Sequence, residues 1–357
     1  MFLNMRIDDI GVDLMVERRK VQKTGSSSYI ITLPKSWIDS IGAKPGDYVL
    51  VYEHGNKLII TPQHGETQRL SAKITITEPV NIDEIFRVLI SHYLTGYDTI
   101  TIEFKPNIPN LAKNISELKN LARMKLAGVE VIDETYNTLV LKILLNLEEL
   151  PLMRAIRRLH LIVNNMLTDA LEAFKSKDVN LAEAVIQRDD EADRFHFMIT
   201  RQLSLALLDI RIMHELGIMN PVETLSYRIL ARNLERIADH AVNIALSAYK
   251  RPNECTYCEN IYEIGKKTID LLNKAMDSLY KLSRKEAEEV IAYSQNVINE
   301  LQSILSKEIL VSNISDQEKI TLTIMYDSLR RIVKYCSGIA EATLNIKVSR
   351  STNIEIK

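Results

Sequence analysis

Hydrophobic and polar positions follow three different patterns along the chain. Residues 17–64 show short alternating runs broken by Gly and Pro turns, which predict strands. Residues 149–346 repeat apolar positions about every 3.6 residues, which predicts long helices. Residues 65–148 mix both patterns. We therefore expect a multidomain protein with a strand-rich N-terminal domain, a small α/β middle domain and an all-α C-terminal domain, flanked by an extension (1–16) and a tail (347–357).

The first zone contains two short strands, a short helix and a hairpin. The helix is expected to begin at Pro34, a residue favoured in the first helical turn, and to end at Gly42. The hairpin turn is placed at residues 54–56, between two apolar runs. The middle zone has the order β-α-β-α-β-β and carries no catalytic motif.

The third zone reads as long helices joined by short loops. Such loops predict antiparallel neighbours in a bundle. The six expected helices cover residues 150–176, 179–213, 221–250, 258–282, 284–311 and 316–346. Ser283 and Ser315 each stand three residues before a Glu, which is the pattern of a capping box at a helix start.

The third and sixth helices resemble each other without gaps. The matched pairs are Leu234/Leu329, Arg236/Arg331, Ile237/Ile332, Ile244/Ile339 and Ala245/Ala340. A looser match relates the second and fifth helices. The repeat predicts two three-helix bundles in tandem.

Bulk properties exclude several classes of protein. The formal net charge of the 357 residues is −2, so overall charge does not point to nucleic acid. No run of 18 apolar residues predicts membrane insertion. The first 16 residues do not resemble a signal peptide, and three cysteines are too few for a disulfide framework, so we expect a cytoplasmic protein. The Cys255-x-x-Cys258 pair is either without a role or a labile thiol pair.

Two helices carry paired carboxylates at the border of their apolar faces. Asp189 and Asp193 are four residues apart in the second helix, and Glu235 and Asp239 are four apart in the third. If these rows meet, the like charges raise the pKa values of the group unless a cation lies between them. Oxygen ligands of this kind suit Mg, Ca, Mn or Fe.

A plainer interpretation of the carboxylates also stands. Glu-x-x-x-Asp occurs by chance in many helices, and most such pairs are solvated. Arg232 and Arg236 are near enough in the sequence to pair with the acids at little net energy.

The segment "RNLERIADHAVNIA" (232–245) resembles the signature of the PhoU family of phosphate-uptake regulators, and "RDDEADR" resembles its partner motif. The resemblance implies two three-helix bundles in tandem and a multinuclear iron or zinc cluster, whose metal the sequence does not identify. It assigns the metal to Asp189, Asp193, Glu235 and Asp239. His240, Asn243 and His196 are expected to support these ligands.

The second half of the helical zone departs from this family pattern. Its residues at the four carboxylate positions are Arg330, Lys334, Gln295 and Asn299. Two cations and two amides do not suit a hard metal ion. At most one cluster is therefore expected, in the first bundle.

The first zone resembles the AbrB/SpoVT/MazE swapped-hairpin family in its basic start, its I-T-L-P-K segment and its G-A-K-P-G-D turn. The resemblance implies a homodimer in which two chains exchange hairpins to form one small β-barrel that binds DNA. The DNA-binding residues are expected to be Arg18, Arg19, Lys20, Lys23 and Lys35. The alternative is a solvated basic edge strand that discourages aggregation.

These features together predict a regulator and not an enzyme. The first hypothesis is a DNA-binding transcriptional regulator of phosphate homeostasis with a metal- or phosphate-responsive helical sensor. The second is a non-transcriptional adaptor that acts on a phosphate-transporter ATPase and uses the N-terminal domain only to dimerise. An antitoxin role is a third option, but a short acidic toxin-binding tail is lacking and about 290 other residues follow the N-terminal domain.

Overall fold

The computed structural model describes residues 17–63, 70–145 and 150–351. The chain divides into two compact units, Met1–Gln68 and Arg69–Lys357. The extension expected at the N-terminus and the last six residues of the expected tail lie outside the described residues.

The first unit consists of two hairpins separated by a short helix. Its elements are β1 (Gln22–Thr24), β2 (Ser28–Ile30), α1 (Lys35–Ser40), β3 (Val49–His54) and β4 (Lys57–Pro62). β1 pairs with β2 and β3 pairs with β4, both antiparallel. The helix ends as expected, because Gly42 adopts φ +67°, a conformation that suits glycine.

This unit has no interior of its own within one chain. None of its described residues is buried. Large apolar side chains lie open to solvent, and Tyr48 is 78% exposed and Tyr29 69% exposed. Isolated two-stranded hairpins are marginal in water. The described residues of a single chain therefore do not complete the barrel that the sequence predicts.

The second unit begins with a four-stranded sheet that shares one apolar core with two helices. The strands are β5 (Ser71–Ile76), β6 (Thr99–Phe104), β7 (Val129–Glu134) and β8 (Thr138–Ile143), and the helices are α2 (Ile82–Leu94) and α3 (Leu111–Lys125). The spatial order is β5-β6-β8-β7, with β5 and β6 parallel and the other pairs antiparallel. Alternate residues of β6 and β8 are buried against the helices, as their period-two pattern requires.

Long helices make up the rest of the second unit. They are α4 (Leu152–Ser176), α5 (Val179–Leu208), α6 (Ile210–Glu215), α7 (Glu223–Lys250), α8 (Cys258–Lys281), α9 (Arg284–Ile304) and α10 (Asp316–Ser349). Helices α4, α5 and α7 pack on one another, as do α8, α9 and α10, and α7 also packs along α10. The serine caps form as expected: Ser283 accepts from the Glu286 amide at 3.3 Å and Ser315 from the Glu318 amide at 3.2 Å.

The largest differences from the expected helix boundaries occur at three places, and the others are of one or two residues. The second long helix breaks at Asp209, whose carboxylate accepts from the Arg211 amide at 2.8 Å and so starts α6. α9 ends in a π turn over Leu305–Ile309. α10 continues to Ser349, into the stretch expected to be a tail, because Arg350 beyond it forms an ion pair of 2.6 Å with Glu223, whose side chain is fully shielded from solvent.

One disulfide joins Cys255 and Cys258 in the loop between α7 and α8. The sequence predicted a cysteine pair without a role or a labile thiol pair. In the structure the turn of the loop brings the two Cα atoms to 5.5 Å, within the range of a disulfide. Cys336 is buried in the core.

The α/β part of the second unit rests on α5 through a buried arginine. Arg201 is 2% exposed. Its guanidinium donates to the carbonyl oxygens of Tyr93 at 2.8 Å and Tyr97 at 2.7 Å, and to a carboxylate oxygen of Asp98 at 2.7 Å. Such a fork of donors fixes the turn between α2 and β6 onto the helix.

None of the helices in the described part of the chain has an apolar stretch of the length needed to span a membrane.

Candidate functional site

The paired carboxylates lie where α5 and α7 pack against each other. The short connection through α6 makes the two helices antiparallel, and His196 of α5 sets their register. Its Nδ1 lies 3.2 Å from the Ala231 carbonyl oxygen of α7, which makes Nδ1 the donor. Asp193 stands three residues before His196 and Glu235 four after Ala231, so these acids come opposite each other. Four residues further along, Asp189 comes opposite Asp239.

Burial and the neighbouring negative charges raise the pKa values of Asp189, Asp193 and Glu235. Burial, followed by the charges of Asp193 and Asp239, raises the pKa of Asp189 to about 6. Burial is also the largest cause for Glu235, followed by the charge of Asp239, and the pKa of Glu235 rises to about 7. Burial raises the pKa of Asp193 as well. Full ionisation of the cluster is therefore less favourable in the folded protein than it is for the same acids in water.

Arginine on the same helix neutralises part of α7's row. Arg236 donates to Asp239 at 2.9 Å and approaches Glu235 to 3.6 Å. The side chain of Glu235 is only 17% exposed, and its buried Oε2 has no hydrogen-bond partner among the described residues. Arg236 thus follows the plain interpretation of the sequence, while Glu235 retains an unsatisfied acceptor.

Lysine from the α/β part neutralises α5's row. The Lys125 ammonium, on the last residue of α3, lies 3.0 Å from Asp190 Oδ1 and 3.1 Å from Asp193 Oδ2. Neither Lys125 nor Asp190 is among the site residues that the sequence pattern indicates. A sequence pattern has no means of pairing residues from two domains that are 65 positions apart, since only folding brings them together.

The donor set does not form a ready-made metal site. Within the described part of the chain, no group of three or more His, Cys, Asp or Glu side chains is arranged to hold a metal ion. The acids are near enough to act on one another's pKa, but Asp193 already accepts from an ammonium group. The arrangement as it stands does not fit a multinuclear cluster, and metal binding remains a prediction.

The two histidines among the supporting residues make contacts with groups other than the four acids. Both ring nitrogens of His196 are engaged, because Arg228 approaches Nε2 to 3.3 Å, and burial lowers the pKa of this histidine to about 4. His240 stacks on Tyr335 of α10 with ring centres 5.9 Å apart. Asn243 is exposed. The 3.6-residue repeat predicts on which side of a helix a side chain lies, but it does not predict which group that side chain contacts.

The corresponding positions of the second half are occupied as expected from their chemistry. Arg330 donates to Asp327 at 2.8 Å. Gln295 donates to Asn299 at 3.0 Å, so the two amides satisfy each other. None of the four matched positions carries a carboxylate.

The basic residues of the N-terminal unit are all exposed, as DNA contact requires. Arg18, Arg19 and Lys20 precede β1 and do not lie in it, Lys23 is within β1, and Lys35 begins α1. Arg19 pairs with Glu17. β1 begins only at Gln22, so residues 17–21 form a basic arm that precedes the first hairpin.

The fold and the sites together define a modular protein: a small basic unit with an incomplete interior, followed by an α/β domain and a helical domain with coupled carboxylates. Comparison with known proteins gives names to two of these parts. Residues 156–248 match the PhoU domain, and residues 22–68 match the family described as antidote-toxin recognition MazE, bacterial antitoxin. One segment of the chain thus matches the PhoU domain and another matches the MazE family.

Two curated proteins are similar to part of the chain. A phosphate-specific transport system accessory protein PhoU homolog of Clostridium acetobutylicum is 27% identical over 208 residues, which are 55% of this chain and 91% of the relative. A protein of the same description from Caulobacter vibrioides is 34% identical over 95 residues, and the match spans 26% of this chain and 38% of the relative.

Two solved structures also align with part of the chain. PhoU from Pseudomonas aeruginosa aligns with a TM-score of 0.46 and 20% identity, over 56% of this chain and 96% of that one. The phosphate transport system regulatory protein PhoU from Streptococcus pneumoniae aligns with a TM-score of 0.43 and 18% identity, over 57% of this chain and 96% of that one.

Proposed function

We propose that this protein is a DNA-binding transcriptional regulator of phosphate uptake. It binds DNA as a homodimer through its N-terminal unit, and its helical domain responds to an effector. The observation that carries the proposal is the presence, in one chain, of a basic MazE-type unit and a PhoU domain.

Dimerisation follows from the incomplete interior of the N-terminal unit. A unit with no buried residue among those described gains little hydrophobic stabilisation alone. Exposed apolar residues such as Tyr29, Tyr48, Val51 and Leu58 become core residues if two copies exchange hairpins into one barrel. The association of two basic arms also doubles the positive charge presented to one duplex.

DNA binding is assigned to the exposed cations of the arm and of α1. Lys and Arg that neutralise backbone phosphates release condensed counterions, which makes binding strongly salt-dependent. Arg is also able to donate to both acceptors of a guanine edge in the major groove. In this proposal Arg18 and Arg19 neutralise backbone phosphates and supply affinity, and base recognition falls to other residues of the unit.

Regulation follows from linkage between the helical domain and the dimer. A metal ion, phosphate or a transporter component that binds the helical domain better in one dimer arrangement favours that arrangement and changes DNA affinity. The carboxylates of α5 and α7 are the proposed effector site. Because carboxylates repel a phosphate anion, phosphate is expected at this site only through a metal ion that the acids hold. Phosphate binding that persists unchanged in the double variant E235A/D239A contradicts this role.

A second function is favoured by the names of the relatives. Proteins described as accessory to phosphate-specific transport are similar to part of the chain. The chain then acts as an adaptor on a phosphate-transporter ATPase, and the N-terminal unit serves only to dimerise it. Recovery of transporter components with the tagged chain, in the absence of sequence-specific DNA binding, favours this adaptor function.

Competition binding distinguishes the two functions. The full chain is titrated with a labelled duplex from its own upstream region, in the presence of unlabelled random duplex, alongside the variants R18A/R19A and K44A/K57A. The second variant removes the same charge from exposed lysines outside the predicted DNA-binding set. The regulator requires that the wild type and K44A/K57A outcompete random DNA and that R18A/R19A does not. Equal affinity for the two duplexes contradicts it.

A further inference from the structure

The disulfide between Cys255 and Cys258 plays no part in the proposed function. It closes the end of the loop that connects α7 with α8, and Cys258 is the first residue of α8. Cys255 is partly exposed, whereas Cys258 is only 5% exposed. A thiol in solution therefore has better access to Cys255 than to Cys258.

The position of Cys258 suits it to leave when Cys255 is attacked. In thiol–disulfide exchange the sulfur that is not attacked departs as a thiolate. The N-terminal end of a long helix stabilises such a negative charge. Cys258 lies in the first turn of α8, a helix of 24 residues. The neighbouring acid, Glu259, is exposed and paired with Lys175 at 3.1 Å, which weakens its opposing effect.

The loop segment inside the disulfide holds the start of α10. The Thr256 amide donates to Oε1 of Glu318 at 2.7 Å, and Glu318 is only 5% exposed. Beside this contact, the Gln317 side-chain amide donates to the carbonyl oxygen of Lys250, the last residue of α7, at 3.0 Å. These two bonds join the first turn of α10 to the end of α7 and to the loop that follows it.

The other end of α10 is joined to α7 without the loop. The Arg350 guanidinium donates to both carboxylate oxygens of Glu223, at 3.0 Å and 2.6 Å. Glu223 and Lys250 are the two ends of α7, a helix of 28 residues, which corresponds to about 40 Å. A change confined to the loop is therefore expected to leave the contact between Arg350 and Glu223 as it is.

We propose that the bond between Cys255 and Cys258 is a redox-active disulfide, which a dithiol reductant opens by exchange at Cys255, and that its opening loosens the first turn of α10 from the loop. The inference does not depend on the proposed function. It assigns a role to the Cys-x-x-Cys motif and makes the junction between the two groups of helices sensitive to thiols.

The reaction is balanced by the two thiols of the reductant. The first thiolate attacks Sγ of Cys255, the bond between the two Sγ atoms breaks, and its electron pair leaves with Sγ of Cys258, which takes up a proton. The second thiolate attacks the reductant sulfur of the mixed disulfide and releases Cys255, which is protonated in turn. The protein disulfide is thereby reduced to two thiols, and the reductant is oxidised to a cyclic disulfide.

The loosening follows from the freedom that the loop gains. In the oxidised protein the cross-link limits the conformations that the loop adopts when the bond between Thr256 and Glu318 breaks, so the bond re-forms at little entropic cost. In the reduced protein the open loop has more conformations, and the broken state is favoured. Amide exchange in the loop and in the first two turns of α10 is expected to be about tenfold faster after reduction.

Hydrogen exchange of the full-length wild type in its two redox forms tests the proposal, so the outcome does not depend on the folding of a variant. The protein is incubated without denaturant in oxidised or in reduced dithiothreitol, and iodoacetamide labelling counts the free thiols. Reduction is expected within about an hour, with two labels on the Cys255–Cys258 peptide and none on the buried Cys336. Peptides from 251–258 and 316–322 are expected to exchange faster in the reduced form, and the Arg350 end of α10 at the same rate in both.

Two variants serve as controls for the role of the cysteines. C255S/C258S lacks the disulfide under all conditions and is expected to exchange at the reduced rate with or without reductant. C336A keeps the disulfide and is expected to respond to the reductant like the wild type.

Four results overturn the proposal. They are a disulfide that resists reduction until denaturant is added, free thiols at Cys255 and Cys258 after the oxidising incubation, equal exchange of the two forms in the first turns of α10, and an equal increase at both ends of α10. The last result indicates a general loss of stability instead of a local release. No DNA is present in these measurements, so they succeed or fail independently of the DNA-binding test.

Discussion

Replacing Glu235 by glutamine is expected to stabilise the protein at alkaline pH, although Glu235 belongs to the proposed effector site. The carboxyl group is largely buried, and its Oε2 has no hydrogen-bond partner among the described residues. Burial raises the pKa from its ordinary value of 4.5 to about 7. The folded state therefore resists ionisation of this group more than the unfolded state does.

The magnitude follows from that pKa difference. The interval from 4.5 to about 7 corresponds to roughly 3 kcal/mol at 1.36 kcal/mol per pH unit. Glutamine loses the 3.6 Å approach to Arg236, which is partly exposed, and leaves an imperfectly bonded amide, which together cost about 1 kcal/mol. The expected net gain for E235Q at pH 8 is about 2 kcal/mol in the free energy of unfolding.

The sign of the pH dependence is specific to a raised carboxyl pKa. The contribution of Glu235 to stability is fully present below its unfolded pKa, because both states are then protonated. It is lost as the pH rises from about 4.5 through about 7, since the unfolded chain ionises first. The charges that act on this group are those of Asp239, Arg236, Arg232 and Asp193.

Urea unfolding followed by circular dichroism, in the presence of EDTA, measures the effect at pH 5 and pH 8. E191Q is a matched control, because Glu191 is an exposed acid of α5 paired with Arg158. The control is expected to change stability by less than about 1 kcal/mol at both pH values. A gain for E235Q of the same size at pH 5 and pH 8, or no gain at pH 8, refutes the assignment of a buried carboxyl with a raised pKa.

Two further substitutions test the packing of the fold. R201M leaves Asp98 and two carbonyl oxygens without their buried cation, and is expected to lower the free energy of unfolding in urea by about 3–5 kcal/mol. The control R158M, at an exposed ion pair, is expected to lower it by less than about 1 kcal/mol. Equal losses in the two variants contradict the anchoring role of Arg201. V51D/L58D places charges on exposed apolar positions of one hairpin, and this variant is expected to be monomeric in analytical ultracentrifugation. The control K57D is expected to remain dimeric. A dimeric V51D/L58D contradicts the exchange of hairpins.

The sequence pattern predicted most of the helical domain because its signals are local. The apolar repeat fixed the long helices, and Ser283 and Ser315 cap the helices that they were expected to cap. Asp209 was missed because its cap interrupts an otherwise continuous apolar pattern.

The candidate site was only partly predictable. Four-residue spacing placed the carboxylates of α5 and α7 correctly on facing sides of their helices. Lys125 and Arg201 act between domains, over sequence separations of 65 to 108 residues, and no local pattern signals such pairs. The sequence holds one signal for Arg201, because a charged residue within an apolar stretch requires a buried partner.

The salt dependence of DNA binding tests the central claim most directly. Affinity for the upstream duplex is measured between low and moderate salt for wild type, R18A/R19A and K44A/K57A. Each phosphate contact contributes about 0.9 to the slope of log affinity against log salt concentration, so four arginines lost from a dimer reduce the slope by roughly 3.6. The account predicts this reduction for R18A/R19A and an unchanged slope for K44A/K57A. An unchanged slope for R18A/R19A, or equal reductions in both variants, contradicts it.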